Sequence, residues 1–75
     1  MVTVYTKPGC GACVATKVWL RRNGLEFTEF DVEADHAARA AVTVYGYSSL
    51  PVVVGDDGRH WSGFQERRLK GLLDG

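Results

Sequence analysis

An α/β fold, a four-stranded mixed sheet flanked by three helices in the order β-α-β-α-β-β-α, follows from three features of the sequence. The first half alternates short β-branched or aromatic runs with helix-length segments that lack breakers, the pattern of a β-α-β unit. Leu50-Pro51-Val52-Val53-Val54 is then continuously apolar, and Gly55-Asp56-Asp57-Gly58 follows it as a turn, which adds a hairpin. With 75 residues the chain holds one unit, a single domain over 1–75, against about 100 to 200 residues for a usual domain.

Each element has its own local cause. Val2, Val4 and Thr6 alternate with Thr3 and Tyr5, a first strand covered at least partly on both faces, and Lys7-Pro8-Gly9 ends it. After Cys10-Gly11-Ala12-Cys13, residues 14–23 run unbroken to Gly24 and predict a helix of about three turns. At 100° per residue Ala12, Cys13, Thr16, Trp19 and Leu20 gather on one side, so Cys13 falls on the inward stripe. Residues 25–32 read as a second strand, but Leu25 and Phe27 share one parity and Phe30 and Val32 the other. That slip predicts a bulge or a late start, at an edge where Glu26 and Glu29 are tolerated.

Residues 34–45 are alanine-rich and helical, with Asp35 near the positive end and Ala34, Ala38, Ala41, Val42 and Tyr45 on one face, and Gly46 ends them. The apolar run from Leu50 fits a central strand with its proline at the start, and residues 59–61 return antiparallel. Residues 64–73 predict a last helix capped by Ser62 or Gly63, with Phe64, Leu69, Leu72 and Leu73 as apolar contacts. The crossover between the first two strands makes them parallel.

Composition removes several classes of function. Nine basic and nine acidic residues cancel, so no overall positive field attracts phosphates, and nucleic acid is not an expected partner. Hydrophobic residues at 45% and charged ones at 24% match folded chains rather than disordered ones. No run approaches the ~18 apolar residues of a membrane span and no signal-like start is seen, so membrane association is not expected and a cytoplasmic setting is. The chain is expected to work as a monomer.

Cys10 and Cys13 are the only cysteines. A bond across two residues removes little entropy from the unfolded chain, so it makes a poor staple, and reducing compartments favour metal binding or redox cycling for such a pair. A Cys-x-x-Cys between a first strand and a helix start is the context for thiol-disulfide exchange. At the helix N-terminus Cys10 meets unpaired N–H groups and the positive end of the dipole, which favour thiolate; a fall from about 8.5 to ~7 would ionise half of it at neutral pH. Cys10 is then the attacking sulfur and Cys13, one turn on and inward, resolves the mixed disulfide. Gly11 and Ala12 are small and leave the approach open. Lys7 either adds to the shift or is simply a solvated lysine at a strand end. Zinc is the rival for the pair, but it needs four ligands, and the other soft candidates, His36 and His60, lie far along the chain, where surface positions account for them.

Val4-Tyr5-Thr6-Lys7-Pro8-Gly9-Cys10-Gly11-Ala12-Cys13, Leu50-Pro51-Val52-Val53-Val54 and Trp61-Ser62-Gly63-Phe64 together resemble the NrdH-redoxins, the glutaredoxin-like branch of the thioredoxin fold. The likeness covers essentially the whole chain, and Trp61-Ser62-Gly63-Phe64 is its narrower marker. It implies Cys10 as attacker, Cys13 as resolver, and a cis Leu50-Pro51 bond that turns the Leu50 backbone towards Cys10 to pair with a substrate segment. On base rates alone, with ~5 to 6% of X-Pro bonds cis, the bond would be trans.

The same likeness implies a dithiol electron donor with no bound cofactor. It would reduce class Ib ribonucleotide reductase and be re-reduced by thioredoxin reductase, with NADPH and flavin acting through that partner. Trp61 to Phe64 would help set the surface beside the site; otherwise Trp61 and Phe64 are core aromatics that close the last helix. By the surface reading, Trp61→Ala weakens exchange with the reductase more than attack on a small disulfide. Two departures stand out: Gly11-Ala12 replaces the family's common bulky residue and glutamine, and Gln65 replaces the carboxylate that anchors glutathione, for which Glu66 is a partial substitute. The alternatives are a glutaredoxin-like thiol transferase using a low-molecular-weight thiol, and a metal or iron-sulfur module in which two chains each supply Cys10 and Cys13.

Overall fold

The computed structural model describes residues 1–74. Its elements are β1 (Val2–Thr6), α1 (Gly11–Arg22), β2 (Phe27–Asp31), α2 (His36–Tyr45), β3 (Val52–Val54), β4 (His60–Ser62) and α3 (Glu66–Asp74). The sheet order is β2-β1-β3-β4, with β1 and β2 parallel and the other two pairs antiparallel. This is the predicted four-stranded mixed sheet with three helices. Alternation along β1 sends Val2 and Val4 into a core with Leu20 of α1, Val53, Trp61 and Leu69 of α3. The opposite face carries Tyr5, which stacks on Phe30 at 5.8 Å and shares a crevice with Ala37 and Ala38 of α2. α1 and α3 therefore cover one face, and α2 the other.

The element ends depart from the sequence reading where contacts distant in the chain decide them. β2 takes the late start: its register with β1 is unbroken from Val2↔Phe27 to Thr6↔Asp31, so there is no bulge. Leu25 precedes the strand, and its N–H donates to Leu20 O at 3.0 Å. α2 starts two residues later than expected because Asp35 is its cap, with Oδ1 accepting from Ala38 N–H at 3.1 Å; Ala34 lies outside the helix. Gly46 closes α2 as expected.

The largest difference is at α3. Neither Ser62 nor Gly63 caps it: Ser62 belongs to β4, and Gly63 extends the ladder by donating its N–H to Pro51 O at 2.8 Å. Gly63 then turns the chain at φ +87°, which a side chain disfavours, and the helix begins only at Glu66. Gln65 O accepts from Arg68 and Leu69 N–H, each at 3.0 Å. Phe64 is consequently exposed and off the helix, while Leu69 is fully buried and Leu73 is half exposed.

Candidate active site

The strand-to-helix turn after β1 presents the first sulfur. Gly9, at φ +76°, folds the chain back so that Cys10 becomes the N-cap of α1 in extended backbone geometry. Its Sγ accepts from Cys13 N–H at 3.1 Å, and its carbonyl accepts from Val14 N–H at 3.1 Å. A sulfur capping a helix takes one of the four orphan N–H donors and sits at the positive end of the dipole, the arrangement that stabilises a thiolate. Cys13 stands one turn on, 1% exposed, on the buried stripe with Thr16 and Leu20. The two sulfurs are joined in a disulfide, with their Cα atoms 5.2 Å apart. Cys10 is partly exposed, so a partner reaches this sulfur first.

Across from Cys10 lies the segment that precedes β3. The Leu50-Pro51 bond is cis, against the base rate and as the resemblance implied. Leu50 O is 3.7 Å from Cys10 Sγ, where a protonated Cys10 finds an acceptor. Forty residues separate the two in sequence; the sheet brings them together because β1 and β3 are neighbours. Gly11 is exposed and Ala12 half-buried, at the first turn beside the disulfide. Lys7 is exposed and lines an open groove with Leu50, Arg39 and Tyr47.

The Trp61-Ser62-Gly63-Phe64 stretch divides between core and surface. Trp61 is 4% exposed, part of the core, and its Nε1 is buried with no hydrogen-bond partner among the described residues. It packs with Val53 and Leu69, and the little of it that is exposed borders a crevice with Arg59 and Gln65 rather than Cys10. Phe64 is 42% exposed. Ser62 Oγ donates to Ser49 O at 2.7 Å and Gly63 N–H to Pro51 O, so both tie β4 to the segment around the cis bond. Glu66 is turned to the other side, where its carboxylate accepts from Trp19 Nε1–H at 3.2 Å.

Two groupings escaped the sequence reading. His60 is exposed, as expected, but its Nδ1 lies 2.8 Å from Tyr47 Oη. Behind α1, Glu29 accepts from Lys17 Nζ at 2.8 Å and from the buried Thr6 hydroxyl at 2.7 Å. The Lys17 hydrogen bond, then that of Thr6, holds the Glu29 carboxyl below its ordinary range. A carboxyl depressed in the folded state adds stability above its unfolded pKa and loses it as pH falls through the folded one. Glu29→Gln should therefore unfold more easily at neutral pH by less than about 1 kcal/mol, with the gap closing in acid. Denaturant titration at the two pH values checks this; an equal gap at both would remove the ion pair as its cause.

A reachable sulfur at a helix N-terminus, with a second one buried directly behind it, is equipped to exchange disulfides with another molecule and then release it. Built on this sheet, it defines a dithiol-disulfide oxidoreductase of the thioredoxin fold. Residues 2–61 match the glutaredoxin family model. The glutaredoxin-like protein NrdH of Escherichia coli K12 is 36% identical over 95% of this chain and 86% of its own length. The solved structure of NrdH-redoxin from Escherichia coli superposes with a TM-score of 0.89 at 34% identity, over 95% of this chain and 92% of that one. The gene 56 protein of Mycobacterium phage L5 is 42% identical over 97% of this chain and 72% of its own. The chain belongs to the glutaredoxin family, in its NrdH-redoxin branch.

Proposed function

We propose that this protein donates electrons to a class Ib ribonucleotide reductase in the cytoplasm and is re-reduced by thioredoxin reductase. The Cys10 thiolate attacks a partner disulfide, forming a mixed disulfide and expelling one partner thiolate. Cys13 then gives up its proton and attacks Cys10 Sγ, which releases the second partner thiolate and leaves Cys10-Cys13 oxidised. Two electrons pass to the partner. The chain itself holds no cofactor in this scheme; NADPH and flavin stay on the reductase that returns two electrons to the disulfide.

The observation that carries this choice over a glutathione-dependent transferase is the chemistry at residues 65 and 66. Gln65 is neutral, with Nε2 donating to Ser62 O at 2.8 Å and Oε1 accepting from Arg68 Nε at 3.0 Å, and Glu66 is turned to Trp19. No carboxylate from this stretch faces the groove to receive the ammonium of a small peptide thiol. Insulin disulfide reduction is expected to run with NADPH and thioredoxin reductase, and at least about tenfold slower with glutathione, the worth of one missing charge-assisted hydrogen bond. Turnover with glutathione alone would reverse the choice. A metal module through Cys10 and Cys13 of two chains is the other reading, and stoichiometric metal in a native dimer would establish it.

A further inference from the structure

The segment between α2 and β3, residues 46–51, carries no helix or strand, yet it fixes the backbone opposite Cys10. The side chains of His60 and Ser62 leave β4 on the face opposite the buried Trp61, and both reach back to this segment. Tyr47 Oη is 2.8 Å from His60 Nδ1 and 3.3 Å from His60 O. The exposed imidazole is flanked by two rings, that of Tyr45 at 4.6 Å and that of Tyr47 edge-on at 5.6 Å. Ser62 Oγ holds Ser49 O, and Gly63 N–H holds Pro51 O. Leu50, with its carbonyl facing the redox sulfur, is thus suspended between anchors on both sides.

We infer that Tyr47 and His60 form a latch that positions the Leu50 backbone for a protein disulfide and is dispensable for a small one. This rests on the proposed role as a donor to proteins, in which an extended segment flanking the partner's cysteine pairs with Leu50. A macromolecular partner presents such a segment, and its binding is weakened if Leu50 wanders. A small disulfide needs only Cys10, whose placement by Gly9 and the start of α1 owes nothing to Tyr47. Both residues act through Leu50 and are positioning residues.

Tyr47→Phe removes one hydroxyl and keeps the ring against His60. For insulin as substrate KM should rise about fivefold, the effect of one hydrogen bond, with kcat little changed. The rate with a small aromatic disulfide should match wild type. Amide exchange at Gly63, whose N–H is held by Pro51 O, should quicken while the core amides of β1 and β3 keep their protection. Ser62→Ala should act in the same direction. Exchange at Gly63 unchanged in both variants overturns the latch. Faster exchange with an unchanged insulin KM overturns the docking role of Leu50, whereas a wild type inactive on insulin refutes the proposed function and leaves the exchange comparison to decide the latch. An equal loss on the small disulfide also overturns the proposal, because it means general damage.

Discussion

Cys13→Ser is expected to accumulate a stable mixed disulfide through Cys10, and Cys10→Ser to lose turnover to background. The asymmetry comes from burial and capping together. Cys10 is the sulfur a partner can reach, and it accepts the Cys13 N–H at the start of α1; Cys13, 1% exposed, can attack only what Cys10 has already captured. Without Cys13 the first exchange still occurs but its product is not resolved. Mass spectrometry of the Cys13→Ser protein mixed with an oxidised substrate should find one covalent adduct per chain, on Cys10. An adduct on Cys13 in the Cys10→Ser protein would exchange the two roles. The cap also predicts a Cys10 thiolate populated below the ordinary thiol pKa, read by its ultraviolet absorbance in the reduced protein.

Trp61→Ala should cost about 3 to 5 kcal/mol, the usual penalty for emptying a buried aromatic site. For 75 residues the whole stability is on the order of 4 to 11 kcal/mol at about 0.05 to 0.15 kcal/mol per residue, so this one change removes a large share of it. The midpoint of thermal unfolding should drop by more than about 12 °C. Reduction by thioredoxin reductase and attack on a small disulfide should fall together as the folded fraction falls. A selective partner defect is not expected, because Trp61 packs with Val53 and Leu69 and is 4% exposed. Trp61→Phe separates packing from the indole nitrogen. Nε1 has no partner to lose among the described residues, so the smaller void should cost only about 1 to 2 kcal/mol, partly offset by removing a buried orphan donor. A stable, fully folded Trp61→Ala protein that fails only with the reductase would restore the surface role.

Much of this molecule was legible because its causes are local. The β-branched alternation of 2–6 needs no distant partner to be recognised, and neither does the unbroken helical run after Cys13. Placing Cys10 at a helix start and Cys13 on its inward stripe followed from turn and helix geometry alone. The resemblance extended this to the cis bond at Leu50-Pro51, which base rates opposed. Sequence reasoning faltered where two local rules competed. Ser62-Gly63 looks like a helix cap, but β3 holds that backbone in the ladder through Gly63, and the helix waits until Glu66.

By itself the sequence determined the order of elements, the redox pair and the placement of one sulfur at the helix start and the other on its inward stripe, since these depend on periodicity and on contacts within one helical turn. Only the tertiary structure decided that Trp61 faces inward while Phe64 faces out, that Glu66 serves Trp19, that Glu29 joins Thr6 to Lys17, and that Tyr47 finds His60. The hydrogen bonds among those outcomes join residues 12 to 47 positions apart. Which face of a sheet or helix a side chain meets there is fixed by how the layers pack, a quantity no local spacing contains.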